Sequence, residues 1–322
     1  MSQYEYTGLL VKAATYNYPE EIPVSVWVLP AAFHRHGEAV HKIMDKYPGL
    51  GFSQDRSYNP YKDVPASYHK GTFLDPWGCL WSNMEEGMEA IVTGHPVPER
   101  KLVHTMRVPE VDAGLPHGFM YLRLLDLRGF EETMIDFAEE PPELKILIDK
   151  VLAYNLTQME KLVKNSSSRM MWFGDDLGMQ NGLAIGAEKW RKYMKPCYTA
   201  LYKPCLDAGK LVYMHTDGCI HEIIPDLADC GVAIVNPQFR ANGLDNLLRV
   251  CKGKIPINLD LDRQLFPFAS KGELRDHVME CVESFYLPEG GFGLNLEIGF
   301  DVPLESMDVL FDAVDKARTF GK

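Results

Sequence analysis

The chain lacks the short motifs that usually reveal a chemistry. No G-x-x-x-x-G-K-[ST], no G-x-G-x-x-G and no G-x-S-x-G occurs. A phosphate cradle, a dinucleotide-binding turn and a nucleophile elbow are therefore excluded. His221-Glu222 opens an H-E-x-x-H pattern, but position 225 is Pro, so that zinc-binding helix is absent. Positive charge is also scarce: 33 Lys and Arg stand against 45 Asp and Glu, a net charge of −12. A chain of this balance is a poor binder of phosphate backbones, and no nucleic acid partner is expected. No window approaches the ~20 apolar residues of a membrane span, so no membrane partner is expected. The opening MSQYEYTGLL has neither the basic start nor the apolar core of a secretory signal. The chain is expected to be soluble and cytoplasmic. The 7 cysteines are odd in number and none forms a C-x-x-C pair, which argues against a disulfide framework or a zinc knuckle and for mostly buried free thiols.

What the chain does have is a large apolar complement, 46% of its 322 residues, with 15 Phe, 15 Tyr and 5 Trp. That is enough to bury a substantial core and excludes disorder as the main state. No repeat, low-complexity tract or linker divides it, so residues 1–322 are expected to form a single domain. Strands are expected at Ile22–Leu29, Gly118–Leu125, Arg169–Phe173, Lys210–His215, Val232–Asn236, Ile255–Asp260 and Phe292–Ile298. Residues 66–95 have room for one more. Helices are expected at Phe130–Phe137, Pro142–Lys164, Ala187–Asp207, His221–Ala228, Leu244–Val250, Lys271–Phe285 and Leu304–Arg318. A long irregular stretch, Tyr47 to Gly71, is expected to wrap the fold. Strand–helix alternation throughout implies parallel strands with crossover helices. The expected fold is α/β, a (β/α)8 TIM-type barrel, with a doubly wound sheet as the alternative.

In such a barrel the chemistry lies where strands end. The segment Arg169–Phe173 runs into Gly174-Asp175-Asp176. Lys210–Met214 runs into His215-Thr216-Asp217-Gly218. Val232–Val235 leads to Asn236-Pro237-Gln238, and Ile255–Leu259 to Asp260-Leu261-Asp262-Arg263. The last strand carries Glu297. Single Asp and Asn residues at such places are explained by helix caps and turns. A histidine directly after an apolar strand is not, which singles out His215.

The ordered set of segments is identifiable. Asp75-Pro76-Trp77-Gly78 comes first. Arg128-Gly129-Phe130-Glu131 and Glu140-Pro141-Pro142-Glu143 follow, then Gly174-Asp175-Asp176-Leu177-Gly178-Met179-Gln180 and Trp190 to Pro196. His215-x-x-Gly218, Ile224-Pro225-Asp226-Leu227 with Gly231, Asn236-Pro237-Gln238 and Asp301-Val302-Pro303 complete it. In this order the chain resembles the uroporphyrinogen decarboxylase superfamily, and within it the corrinoid-linked methyltransferases. The resemblance implies a distorted (β/α)8 barrel with its site at the C-terminal mouth.

Two departures from the family pattern refine what it implies. The porphyrin decarboxylases carry Arg-Gln-Ala-Gly-Arg after the first strand, to hold substrate carboxylates; here the stretch reads Pro30-Ala31-Ala32-Phe33-His34-Arg35-His36-Gly37. One Arg cannot clamp four acid arms in the same way. The methyltransferases hold zinc with a His-x-Cys pair and a distant Cys; here the pair reads His215-Thr216-Asp217, and no Cys lies near Glu297. The resemblance thus implies a zinc site made by His215, Asp217 and Glu297, harder than the thiolate version and suited to an oxygen ligand. It implies methyl transfer from an O-methylated small molecule, such as an aryl methyl ether, to the Co(I) of a corrinoid. No Asp-x-His-x-x-Gly cobalamin signature occurs, so the corrinoid is expected on a partner protein. His215, Asp217, Asp176 and Asp260 are the expected catalytic residues. Trp77, His117, Asp175, Asn236 and Arg263 are expected to bind substrate. The alternative is decarboxylation of a small or porphyrinogen-like acid, with Arg35, Arg123, Arg263 and His34 as clamps. The sequence leaves open the methyl donor and the oligomeric state, a homodimer included.

Overall fold

The computed structural model describes residues 3–52, 58–110 and 114–322. Ten strands appear among them, in chain order β1 (Val24–Val28), β2 (Gly51–Phe52), β3 (Gly71–Leu74), β4 (Leu80–Asn83), β5 (Ile91–Gly94), β6 (Met170–Gly174), β7 (Leu211–Thr216), β8 (Val232–Pro237), β9 (Ile257–Asp260) and β10 (Phe292–Ile298). The chain divides into two compact units. One comprises Met1–Lys70, Asn83–Glu89 and Val235–Lys322; the other comprises Gly71–Ser82 and Ala90–Ile234.

In the first unit the strands run parallel in the order β2-β1-β10-β9. Val24, Val26 and Val28 of β1 and Leu294, Leu296 and Ile298 of β10 are fully buried. Strands apolar on consecutive inward positions belong to parallel sheets covered by helices. Helices Pro30–His36 and Glu38–Met44 follow β1, and Leu304–Ala317 follows β10. Helix Lys271–Phe285 starts on a capping box. The Ser270 hydroxyl accepts from the Glu273 N–H at 3.3 Å, and the Glu273 carboxylate accepts from the Ser270 N–H at 2.8 Å.

In the second unit β6 pairs in parallel with β7, from Met170 opposite Leu211 to Gly174 opposite His215. The long helix Pro142–Asn165 leads into β6. Between β6 and β7 the helix expected at Ala187–Asp207 forms as Gly186–Lys189, a wide-turned segment Trp190–Met194, and Lys195–Asp207. Pro196 has no N–H to return to the carbonyl of Lys192, and the helix widens there. The alternation of parallel strands and helices is that of a distorted (β/α)8 TIM-type barrel.

Two expectations are corrected. Gly118–Leu125 is not a strand: the chain turns at Gly118, with φ +75°, and runs as helix Tyr121–Arg128. Its buried residues Tyr121, Leu124 and Leu127 recur every third position, a helical stripe that outweighs the β-propensity of the individual residues. Residues 66–95 hold not one barrel strand but the small separate sheet β3-β4-β5, in which β4 and β5 run antiparallel. The stretch from Tyr47 to Gly71 holds β2 and the short turn Ala66–Tyr68, while residues 53–57 lie outside the described residues. All 7 cysteines are free thiols, and Cys219 alone is not buried. Among the described residues, no helix is long and apolar enough to cross a membrane.

One buried imidazole makes stability depend on pH. Nε2 of His277 accepts the backbone N–H of Asp262 at 3.0 Å. Burial holds this imidazole below its ordinary pKa; the Asp262 carboxylate opposes the shift and Arg240 reinforces it. The unfolded imidazole binds a proton below about pH 6.5 while the folded one resists it. This contribution is therefore complete above about pH 6.5 and is lost as the pH falls through that value towards the folded pKa. Urea midpoints compared at pH 7.5 and 5.5 should show a drop in the wild type. In His277→Gln, whose amide oxygen can accept the same bond without titrating, the drop should be smaller.

Candidate active site

The ends of β6 and β7 are joined by backbone and side-chain bonds that continue past the sheet. Asp175 N–H donates to the His215 carbonyl at 3.1 Å, and Gly178 N–H to the Asp217 carbonyl at 3.1 Å. The buried Thr216 hydroxyl accepts from Leu177 N–H at 3.0 Å. The loops approach most closely at two glycines. Gly218 has φ +82°, and a Cβ there would overlap the backbone of Gly178. A Cβ on Gly178 would lie 2.6 Å from the Cys219 nitrogen.

A third segment enters through Gly118, whose N–H donates to the Gly174 carbonyl at 2.9 Å. This brings His117 over Gly174, where any Cβ would strike the imidazole. The turn is secured by Asp175, which is 0% exposed. Its carboxylate accepts from the N–H groups of Met120 (3.0 Å), Tyr121 (2.6 Å) and Leu122 (2.9 Å), and from the Tyr198 hydroxyl (2.7 Å). These N–H groups open helix Tyr121–Arg128, so Asp175 satisfies donors the helix itself leaves over. Burial pushes the carboxyl above its ordinary range, and the bonds from Leu122, Tyr198 and Tyr121 pull the other way.

The next residue faces a different environment. Asp176 accepts Asp217 N–H on Oδ1 at 3.0 Å, and its Oδ2 lies 3.1 Å from His117 Nε2. His215 Nε2 lies 3.3 Å from Asp217 Oδ1. The His117 and His215 rings are 5.7 Å apart. Burial opposes the charge on Asp176, but the bond and charge of His117 and the charge of His215 outweigh it and hold the pKa below the usual carboxylate range. For His117, burial works against the proton and Asp176 outweighs it, so its pKa lies above the ordinary value. Asp176, His215 and Asp217 each offer one ligand atom, all within 4.8 Å of one another and partly exposed.

Of the expected site residues, the structure brings His215, Asp217, Asp176 and His117 together. Asp175, expected to hold substrate, is instead the buried anchor of the turn. Trp77 is also buried, edge-on to Tyr154 at 4.9 Å and beneath Arg123. The remaining four belong to the first unit. Asn236 is buried and donates to the Asn258 carbonyl at 2.7 Å. Asp260 is buried and accepts from Asn295. Arg263 is ion-paired with Glu297. Glu297, expected as the third metal ligand, is not in the group at His215; Asp176 is. Tyr198 was not foreseen, because nothing in its helical segment distinguishes a tyrosine that reaches a carboxylate from one that packs.

A sequence model of the uroporphyrinogen decarboxylase (URO-D) family matches residues 124–317, more than half of the chain. The chain belongs to this family. No curated protein matches it in a sequence search. Among solved structures, a methyltransferase from Methanosarcina mazei is similar in fold. Its TM-score is 0.64 at 16% identity, over 95% of this chain and 97% of the other. The URO-D barrel expected from the ordered motifs is thus the observed fold.

Two substitutions probe how the site is held. Tyr198→Phe removes one of four donors from a buried carboxylate and should cost about 1.5–3 kcal/mol, the range for a bond to a charged group. Gly218→Ala puts a Cβ at positive φ against backbone and should cost more than about 1 kcal/mol. Urea unfolding measures both, and unchanged midpoints would contradict the account.

Proposed function

We propose that this URO-D family member is a methyltransferase, moving the methyl group of an O-methylated small molecule, an aryl methyl ether, to the Co(I) of a corrinoid carried by a separate protein. The reading rests on the cluster of Asp176, His215 and Asp217 at the ends of β6 and β7. Family membership and the fold shared with a solved methyltransferase support it. On this reading residues 1–322 act as one catalytic domain.

The chemical difficulty is the leaving group. The C–O bond breaks with its electron pair on oxygen, the methyl carbon passes to the acceptor, and a phenoxide is left. A phenol has a pKa near ~10, so its anion leaves poorly from an alkyl carbon. One imidazole and two carboxylates fit a catalytic zinc site of three protein ligands with a further position open. A zinc ion held by Asp176, His215 and Asp217 would supply a Lewis acid for the ether oxygen. Two carboxylates make a harder set than two thiolates and favour an oxygen ligand over a sulfur one. His117 holds Asp176 through the Nε2–Oδ2 contact, fixing the carboxylate's orientation, as a hydrogen-bonded neighbour of a ligand does. Asp176 raises the His117 pKa above its ordinary value and so favours the protonated imidazole beside the cluster.

Decarboxylation of a small or porphyrinogen-like acid would require cationic clamps. Arg123 is buried on Asp75 at 2.6 Å, Arg263 is paired with Glu297, and Arg35 donates to the Phe300 carbonyl at 3.1 Å. Each arginine expected as a clamp already serves a partner within the protein, and this favours methyl transfer.

Purified protein given an aryl methyl ether should turn over only when a corrinoid protein or free Co(I)alamin is added. Chelation should remove the activity and zinc should restore it. His215→Ala should lose about 100-fold or more, the scale of losing a metal ligand's contribution. Full methyl transfer by both the chelated enzyme and His215→Ala would refute the metal site, and complete turnover without corrinoid would refute the acceptor.

A further inference from the structure

Strands β6 and β7 carry aromatic rings one step below the cluster. Their register sets Trp172 opposite Tyr213 and Gly174 opposite His215. Side chains two residues apart on a strand share a face, so Trp172, Tyr213 and His215 lie on one side of this strand pair. Phe173 lies on the other, where it meets Phe119 at 5.9 Å and Tyr202 of helix Lys195–Asp207 at 5.5 Å. Trp172 therefore stands on the side turned away from that helix. The Trp172 and Tyr213 rings are 4.3 Å apart. His117, over Gly174, and His215 form a second pair of rings at 5.7 Å.

Two strand residues rise about 7 Å, so Trp172 and Tyr213 form a tier one step below the two imidazoles. The inward face of such a barrel is normally filled by layers of packed side chains. Here the lower tier is not closed over. Trp172 is 41% exposed, whereas Met170, two residues back on the same face, is 1% exposed. Exposure thus begins at the indole and continues through the partly exposed Asp176, His215 and Asp217. Tyr213 is buried and backs the indole from the neighbouring strand. A large apolar ring left open beside a few placed polar groups is the composition of a small-ligand site.

We propose that Trp172, backed by Tyr213, holds the aromatic ring of the substrate against its indole, and so selects aryl methyl ethers over alkyl ones. The inference rests on the methyl-transfer reading for what is bound, and on the ring tier for its class. With the aryl ring on the indole, a methoxy substituent extends along the strands towards Asp176, His215 and Asp217. Aromatic pairs gain more than the area they bury. A saturated ring of the same size gains the area alone.

The test is ligand-observed saturation-transfer NMR on the full chain with no corrinoid added, so that nothing turns over. Anisole is the probe, and methoxycyclohexane, with the same methoxy group on a saturated ring, is the control. Anisole should bind about 2- to 10-fold more tightly, the range for one aromatic pair. Trp172→Leu should abolish that preference, and Trp172→Phe should keep it. Equal binding of the two ethers by the wild type would overturn the proposal however the variants fold. So would an undiminished preference in Trp172→Leu. Adding Co(I)alamin separates the two readings. Absent methyl transfer with the anisole preference intact would sink the reaction and leave the aryl tier standing. Transfer from an aryl methyl ether with KM unchanged in Trp172→Leu would overturn the tier and leave the reaction standing.

Discussion

The carboxylate of Asp175 joins three pieces of chain that are distant in sequence. It directly follows β6, receives the first N–H groups of helix Tyr121–Arg128, and accepts the hydroxyl of Tyr198 from helix Lys195–Asp207. Burying a carboxylate is costly unless donors replace the lost water. Four donors do so here, and three of them, the N–H groups of Met120, Tyr121 and Leu122, start a helix whose dipole favours negative charge at that end. The consequence is positional. With Asp175 held from three sides, Asp176 has little freedom, and the Gly118–Gly174 bond holds His117 beside it. Consecutive aspartates thus take separate roles: the first holds the turn together and the second faces the neighbouring strand end.

The same unit uses its buried cations as it uses Asp175, to hold segments together. Arg128 and Asp136, each 2% exposed, pair at 2.9 Å, and Arg100 and Glu132 join them at 2.6 and 2.8 Å. Arg123 joins Asp75, whose other oxygen fixes the N–H groups of Trp77 and Cys79. Breaking one partner of such a pair leaves an uncompensated charge in the interior. These arginines are therefore poor candidates for moving onto a substrate. Their fixed engagement sets them apart from the partly exposed imidazoles and carboxylates at the ends of β6 and β7.

Much of this was legible in the sequence, for identifiable reasons. Strand β10 and helix Lys271–Phe285 fall at their expected bounds, because apolar residues at alternate positions of a strand and helical periodicity are local signals. His215, Asp176 and Asp217 were legible as residues following apolar strands. Helix Tyr121–Arg128 was misread because a glycine followed by aromatic and aliphatic residues resembles a strand start. What decides the matter is Asp175, more than 50 residues away, which engages the first N–H groups. The exchange of Glu297 for Asp176 in the cluster has the same origin. Sequence order shows that each sits at a strand end but not which strand ends adjoin. The pairing of Gly174 with His215 decides that.

The identity of the ligand atoms connects this geometry to the proposed chemistry. A thiolate set transfers electron density to zinc and suits activation of a thiol, whose sulfur is itself soft. Two carboxylates and one imidazole would leave a harder and more electron-poor ion, better matched to the proposed ether oxygen, which must accept an electron pair as its methyl departs. The cost is a less tightly held metal, because borderline-soft zinc gains less from oxygen than from sulfur. On the proposed reading, the structure would offset part of that cost by restricting these side chains in advance. Asp176 is held by His117 and by the Asp217 N–H, and the Asp217 backbone is tied through Gly178. Ligands restrained before the metal arrives lose less freedom when it binds. On that reading the glycine contact between the two loops would bear on metal affinity although neither glycine offers a ligand atom.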